Sequence, residues 1–272
     1  MAPILAIVTS LLLPVASMAA AIPQEGEDRI IGGSPAREGQ FPSTVKLLKD
    51  GEQHCGGALI GDRLVLTAAH CVGVAASSLS IRAGSLKWDE GGVTSRVARI
   101  SRHSSWNMPR MHNDIALLHL ASPIKESSVI KYGRPTSSTA DPTGSVVSAG
   151  WGRTSPTGPG SPNLLFIQTS MIDRASCKRW HASLAETMIC SGIRGKAVCK
   201  GDSGTPLYDS SKNIIGIVSF GSNVCSNDGV PAVYTKVGAY GNWIKQNSGT
   251  GGGQPDQPEG PEEPEEPEVS RF

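Results

Sequence analysis

Leu64-Val65-Leu66-Thr67-Ala68-Ala69-His70-Cys71 runs from a short apolar segment directly into a histidine that stands beside a cysteine. Short apolar or alternating runs of this kind recur between turn signals, at Thr44–Leu48, Arg63–Leu66, Val93–Ile100, Ile115–Leu120, Leu164–Thr169 and Ile214–Phe220. Such runs are typical of strands, and the 32 glycines and 19 prolines favour many turns. A short helical pattern lies at Val237–Gln246. The sequence therefore predicts an all-β fold, either a sandwich or a barrel.

Two other segments carry reactive side chains. Asp114 precedes the apolar run that begins at Ile115, and Ser203 lies in the glycine-rich turn Gly201-Asp202-Ser203-Gly204. Each residue alone would often be an ordinary surface or turn residue. Taken together in the order His70, Asp114, Ser203, they match the needs of acyl transfer, because a serine needs a base and the base needs an anion to orient it. This order excludes the two other common triads, which run Asp-His-Ser and Ser-Asp-His.

The composition divides the chain into four segments. Residues 1–21 contain the apolar run Ile4–Val15 and the small-residue stretch Ala19-Ala20-Ala21, which are typical of a cleaved secretory signal. Because this run is shorter than the ~20 apolar residues that span a bilayer, we expect a secreted, extracellular protein that does not enter a membrane. A short acidic stretch (22–29), a globular body (30–248) and a Pro/Glu-rich tail (249–272), which we expect to be disordered, follow.

The net charge of +1 conceals an uneven distribution of charge along the chain. The tail holds seven acids and one arginine, and residues 22–29 hold three acids and one arginine, which leaves the body at +9. The basic residues of the body are scattered and show no aromatic–basic stripe. We therefore expect no nucleic-acid partner.

The six cysteines are an even number in a chain expected to be secreted, which indicates three disulfides. There are 15 possible connectivities, and spacing alone does not choose among them. The sequence has no C-x-x-C pair and no paired-histidine spacing, and around residues 83–93 only Asp89 and Glu90 offer carboxylates. We therefore expect no metal ion and no cofactor.

Six motifs together resemble those of the trypsin/chymotrypsin family of serine proteases. They are His54–Ile60, Thr67–Cys71, Asp114–Leu118, Ala149–Gly152, Gly201–Gly204 and Pro231–Val237. The resemblance covers Ile30 to Gln246 and implies a monomeric serine endopeptidase that acts on proteins or peptides. It implies two antiparallel β-barrels, a short C-terminal helix, and a triad of His70, Asp114 and Ser203 in the cleft between the barrels. A catalytically inactive homologue would normally have lost one of these three residues, and all are present.

The resemblance also implies the disulfide pairing, which is Cys55–Cys71, Cys177–Cys190 and Cys199–Cys225. By the same resemblance the backbone amides of Gly201 and Ser203 form the oxyanion hole, where hydrogen-bond donors face the charge that develops in the transition state. Thr205 departs from the family pattern, which usually has a second glycine there.

Arg29-Ile30-Ile31-Gly32-Gly33 is similar to the activation site of this family. Residues 22–29 would then be an activation propeptide, and the chain would be made as a zymogen. Cleavage of the Arg29–Ile30 bond by an Arg-cleaving protease would free the amino group of Ile30, which would pair with the carboxylate of Asp202.

The specificity pocket implied by the resemblance is lined by small or apolar residues. Ala197 stands at the floor, and the walls are Val198, Ser219, Gly221 and Ala232. Trypsin-like enzymes have an aspartate at the floor, and without it a basic side chain would be buried with no counter-ion. We therefore predict cleavage after Leu, Met, Phe or Tyr, with Trp disfavoured and Arg and Lys rejected.

Overall fold

The computed structural model describes residues 32–249, apart from 156, 193, 223, 224 and 226–228. The predicted signal (1–21), the acidic stretch (22–29), the Arg29–Ile30 bond and the tail beyond Gly249 lie outside the described residues. Among the residues described, no helix is both long enough and apolar enough to cross a membrane.

The described residues form fourteen strands and two short α-helices. The strands are β1 (Ser34–Pro35), β2 (Thr44–Lys49), β3 (Glu52–Gly61), β4 (Leu64–Thr67), β5 (Leu79–Ala83), β6 (Val93–Arg102), β7 (Ala116–Leu120), β8 (Arg134–Pro135), β9 (Ser145–Gly150), β10 (Leu165–Ile172), β11 (Met188–Gly192), β12 (Pro206–Tyr208), β13 (Asn213–Phe220) and β14 (Ala232–Lys236). The helices are α1 (Arg174–Lys178) and α2 (Gly241–Asn247). All six runs predicted as strands coincide with strands, and their ends differ by at most three residues.

The first barrel closes six antiparallel strands in the order β2-β3-β4-β7-β6-β5, with β5 returning to β2. In β5 the side chains of Leu79, Ile81 and Ala83 are buried and the residues between them are half-buried, as the two-residue period of a strand requires. Leu66 and Leu117, which face each other across β4 and β7, are fully buried. The apolar side chains of the six strands thus meet inside one closed core.

The second barrel is an antiparallel ring of β9, β10, β11, β14, β13 and β12, closed by the pairing of β9 with β10. β1 pairs with β10, and β8 runs parallel to β13 outside the ring. Leu165, Ile167, Leu207 and Tyr234 are among the residues of its core. The structure therefore confirms the predicted fold of two antiparallel barrels.

Residues from the second half of the chain contribute to the core of the first barrel. Tyr208 of β12 packs in that core, and its hydroxyl group lies within hydrogen-bonding distance of the side chains of Ser43 (2.7 Å) and Thr44 (2.9 Å). Ile244 of α2 packs in the same core, so the C-terminal helix crosses back to the first barrel. These contacts fix the two barrels against each other along a shared boundary.

Three disulfides join the pairs that the resemblance implied, Cys55–Cys71, Cys177–Cys190 and Cys199–Cys225. The first ties β3 to the 3₁₀ turn Ala69–Val72, which carries His70. The third ties the segment that precedes Ser203 to the loop that follows β13.

Candidate active site

His70 and Asp114 emerge from the same end of two paired strands. His70 lies in the turn after β4, Asp114 lies just before β7, and Thr67 is paired with Ala116 in the ladder between these strands. The carboxylate of Asp114 accepts a hydrogen bond from the backbone N–H of His70 at 2.9 Å, and its second oxygen lies 2.8 Å from Nδ1 of the ring. Because an ionised carboxylate can only accept, Nδ1 carries the proton and Nε2 is left as a proton acceptor.

Asp114 is completely buried, and both barrels supply its hydrogen-bond donors. The hydroxyl of Ser219 donates to Oδ2 at 2.6 Å, and the hydroxyl of Thr235 donates to the backbone carbonyl of Asp114 at 2.7 Å. Ser219 lies where the register of β13 against β14 shifts, and such a bulge re-aims a side chain. The buried negative charge is thereby compensated by three hydrogen bonds to the carboxylate, and the bond from Thr235 holds the backbone of the same residue.

Ser203 is brought towards His70 through the strand β3. The backbone N–H of Gly56 donates to the carbonyl oxygen of Ser203 at 2.8 Å, and the neighbouring Cys55 is disulfide-bonded to Cys71 beside His70. The turn around Ser203 needs glycine, because Gly201 and Gly204 have φ angles of +99° and +82°. Ser203 and the turn that carries His70 are therefore both attached to one strand of the first barrel.

The amides of the serine turn differ in whether they have an acceptor. Those of Asp202, Gly204 and Thr205 all donate to backbone carbonyls. Those of Gly201 and Ser203 donate to no acceptor within the part of the chain that the structure describes. These are the two N–H groups that the resemblance assigns to an oxyanion hole, and both are available to a developing negative charge.

The carboxylate of Asp202 points into the protein and is completely buried. Its two oxygens accept from the backbone amides of Gly152, at 2.8 Å, and Cys199, at 2.9 Å. Burial raises the pKa of Asp202 to about 6, while these two amides and the positive charge of Lys46 act in the opposite direction. Ile30, its predicted partner, lies outside the described residues.

The burial of Lys46 was not predicted from the sequence. This residue lies in the middle of β2 and its side chain has no exposure to solvent. A signal was present, because a lysine inside the otherwise apolar stretch Val45-Lys46-Leu47-Leu48 departs from the pattern of a buried strand. The hydrogen bond from Ser219 to Asp114 was not predicted either, because the resemblance assigns Ser219 only to the pocket wall.

Thr205 fits its position without backbone strain. Its φ angle is not positive, and its hydroxyl donates to the carbonyl of Asp202 at 2.7 Å. The methyl group occupies space that is left free by Gly56 and Gly150, since a β-carbon at position 56 would overlap it and one at 150 would lie 3.3 Å from it. The departure from the family pattern is therefore accommodated by packing.

The residues predicted to line the specificity pocket belong to the second barrel. Val198 and Ala232 are buried in the same apolar cluster, and a β-carbon on Gly221 would lie 3.7 Å from Ala232. Ala197 and Gly221 are half-buried. None of these four residues carries a charge, and the fifth predicted residue, Ser219, has a hydroxyl group that donates to Asp114.

One group of possible metal ligands includes His70, but it does not form a metal site. Ligand atoms of Cys55, His70 and Cys71 lie within 4.8 Å of one another. The two sulfurs are bonded to each other in a disulfide, so neither is a thiolate that could bind a metal ion.

Residues 30–244 match the family model described as trypsin. Trypsin beta of Drosophila erecta is 36% identical over 228 residues, which cover 82% of this chain and 89% of that protein. Trypsin delta of Drosophila melanogaster is 35% identical over 229 residues (82% and 89%), and trypsin alpha-4 of Lucilia cuprina is 34% identical over 238 residues (84% and 92%). The matched range contains both barrels together with His70, Asp114 and Ser203.

Proposed function

The chain belongs to the trypsin family and is a serine endopeptidase that acts on proteins or peptides, and we propose that His70, Asp114 and Ser203 are its catalytic triad. The observation that carries this assignment is the buried Asp114 carboxylate, which holds both the backbone and the ring of His70. A histidine held in this way has one tautomer and one orientation, as a general base requires.

The arrangement supports an acyl-enzyme mechanism. The Ser203 oxygen attacks the carbonyl carbon of the scissile bond while Nε2 of His70 takes the hydroxyl proton. The carbonyl electron pair moves to oxygen, and the amides of Gly201 and Ser203 stabilise the resulting oxyanion. His70 then passes the proton to the leaving amine as the C–N bond breaks. Water attacks the acyl-enzyme by the same sequence of proton transfers and regenerates Ser203.

For the residue before the cut, we propose a preference for Leu, Met, Phe and Tyr. Ala197 at the predicted pocket floor offers no counter-ion, and Val198 and Ala232 lie in an apolar cluster. An apolar side chain would gain about 25 cal/mol for each Å² that it buries there. An arginine or lysine would lose its hydration without an ion pair, which costs several kcal/mol.

A preference for Arg or Lys is the second candidate, and the names of the relatives favour it, since they are called trypsins. The two candidates differ in the residue expected at the floor of the pocket. Trypsin-like specificity needs an acid there, and this chain has Ala197. We therefore place the apolar preference first.

We also propose the division of the chain into a secretory signal (1–21), an activation propeptide (22–29), a protease domain (30–248) and a tail (249–272). The protein would be a secreted monomer that an Arg-cleaving protease activates at Arg29–Ile30. The burial of Asp202 supports this activation step, because a carboxylate in that environment is stabilised by a cationic partner such as the freed amino group of Ile30.

One experiment tests the function and the triad together. The protein cleaved at Arg29–Ile30 is treated with a serine-directed phosphonate, and the labelled residue is located by peptide sequencing. We expect the label on Ser203, loss of turnover on labelling, and neither label nor turnover in the Ser203→Ala protein. A label on another serine, or turnover by Ser203→Ala above a few per cent of wild type, would show that the assignment is wrong.

The cut sites are then read from a diverse peptide mixture. Cuts after Leu, Met, Phe and Tyr would support the apolar pocket, and cuts after Arg and Lys would support the second candidate.

A further inference from the structure

Lys46 is a buried cation that the proposed mechanism does not use. Its side chain is fully buried in β2, and its ammonium lies 5.9 Å from the centre of the Trp151 ring. Within the described residues it has one hydrogen-bond acceptor, the Gln53 side-chain oxygen, at 3.3 Å. With the Gln53 amide turned over, its oxygen accepts from Trp88 at 2.7 Å instead. A buried ammonium with such weak hydrogen bonding requires a compensating negative charge.

That negative charge is the carboxylate of Asp202. The two groups make no direct hydrogen bond, but both are buried beside consecutive residues: Trp151 lies beside the ammonium, and Gly152 donates to the carboxylate. Burial lowers the pKa of Lys46 to about 8, and the charge of Asp202 opposes that change. Burial raises the pKa of Asp202, and the charge of Lys46 opposes that change in turn. Each group therefore favours the charged form of the other.

The charge of Asp202 matters for the amides beside it. Asp202 lies between Gly201 and Ser203, and its ionised oxygens hold the amides of Gly152 and Cys199. A buried carboxylate without a positive charge nearby takes up a proton or turns towards solvent. Either event would loosen the turn whose N–H groups face the reacting carbonyl.

We propose that Lys46 is a positioning residue of the oxyanion hole. Its buried ammonium keeps Asp202 ionised and bound to Gly152 and Cys199, so that the amides of Gly201 and Ser203 keep their direction. This inference rests on the proposed activation at Arg29–Ile30, because Lys46 would be a second cation for Asp202 besides the freed amino group of Ile30. An uncleaved chain would therefore keep part of the active arrangement through Lys46.

The test compares two buried lysines. Lys46→Met removes the ammonium and keeps an unbranched side chain. The control is Lys236→Met, since Lys236 is also largely buried and its ammonium pairs with Asp141 at 2.7 Å. Each variant is made in the protein cleaved at Arg29–Ile30 and in an uncleavable Arg29→Gln chain. The kcat and KM for a small peptide substrate are measured, together with thermal unfolding.

In the cleaved enzyme we expect Lys46→Met to lower kcat about tenfold with little change in KM, a smaller loss than removal of a whole oxyanion donor causes. In the Arg29→Gln chain the remaining turnover should fall by a larger factor. Lys236→Met should leave both values within about twofold of those of the parent protein. Lys46→Arg, which keeps the charge, should recover part of the kcat. If Lys46→Met does not fold, Lys46→Gln takes its place.

A second readout is the acid side of the kcat profile. Loss of the Lys46 charge raises the pKa of Asp202 further, so the acid limb should move to higher pH in Lys46→Met. Among the described residues, the charge of Asp202 acts on Lys46 and on the phenol of Tyr234. Burial raises the pKa of Tyr234, so this phenol stays neutral over the acid range and does not contribute to the acid limb.

Two results would overturn the proposal. An unchanged kcat in cleaved Lys46→Met would make Lys46 a purely structural residue. A rise in turnover of the uncleaved chain on Lys46→Met would show that Lys46 holds Asp202 in an inactive state. If the phosphonate does not label Ser203 in the cleaved wild-type protein, the proposed function is wrong. If Ser203 is labelled normally and one of these two results is obtained, only the role of Lys46 is rejected.

Discussion

The hydroxyl of Ser219 donates a 2.6 Å hydrogen bond to Oδ2 of Asp114, the same oxygen that faces Nδ1 of His70. Ser219 comes from the second barrel and Asp114 and His70 come from the first. The orientation of the His70 ring therefore depends on the contact between the barrels. A hydrogen bond to a buried carboxylate is worth about 1.5–3 kcal/mol.

Ser219→Ala should lower kcat by about tenfold, because part of that stabilisation is lost when the imidazolium forms. Asp114→Asn should have a much larger effect, on the order of 10⁴-fold, because it favours the wrong tautomer of His70. Thr235→Val is the matched control, since its hydroxyl bonds the backbone carbonyl of Asp114 and leaves the carboxylate untouched. Steady-state kinetics of the three proteins would check this order, and a loss in Thr235→Val equal to that in Ser219→Ala would contradict it.

Protonation of two groups should lower the activity at acid pH. His70 must be neutral to accept the Ser203 proton, and Asp202, whose pKa burial raises to about 6, must be ionised to hold the amides of Gly152 and Cys199. As the pH falls through that value the carboxylate takes up a proton, which adds a second loss of activity to the one caused by protonation of His70. The plot of log kcat/KM against pH should therefore have an acid slope steeper than one. On the alkaline side activity should fall as the ammonium groups of Ile30 and Lys46 lose their protons. A flat profile across the neutral range, or an acid slope of one, would count against this.

The strands and the candidate triad could be proposed from the sequence because their signals are local. A run such as Ile214–Phe220 shows its period within a few residues, and His70, Asp114 and Ser203 each lie in a recognisable motif. In β6 the alternation of apolar and polar residues did not predict which side chains are buried, because Val93 is 45% exposed and Ser95 is buried. Burial there depends on the bend of the strand and on its neighbours, which a single segment does not encode.

The hydrogen bond of Ser219 and the burial of Lys46 could not be predicted in the same way. Each depends on a contact between residues far apart in the chain, 105 positions in the case of Ser219 and Asp114. The direction of the Ser219 side chain also depends on the bulge in β13, because a one-residue shift sends a side chain to the other face.

Primary specificity should respond to the pocket floor. Ala197→Asp should reduce cleavage after Leu and Phe, because the new carboxylate would be buried beside an apolar side chain. It should not create efficient cleavage after Arg, since Val198 and Ala232 occupy space that the guanidinium needs. Adding Val198→Ser and Ala232→Gly to Ala197→Asp should increase cleavage after Arg relative to the single variant. Profiling on peptides that differ only in the residue before the cut measures both effects, and an efficient trypsin-like activity in Ala197→Asp alone would contradict this explanation.

The tail should not be needed for the chemistry. A chain that ends at Ser248 should match the full-length kcat/KM on a small neutral peptide within about twofold. It should bind acidic protein substrates more tightly at low salt, because the seven acids of the tail offset part of the +9 charge of the body. A large loss on the small peptide would show instead that the tail contributes to the active site.

Thr205 and Gly56 share one small volume between the barrels, and this limits how the sequence can evolve. With threonine at 205 there is no room for even the methyl group of alanine at 56. With glycine at 205 the same methyl group would meet the Val45 carbonyl oxygen at 3.4 Å, which is an ordinary contact. The effect of a substitution at one position therefore depends on the residue at the other. Threonine at 205 therefore requires glycine at 56, and a chain that carries alanine at 56 would have to carry a smaller residue at 205.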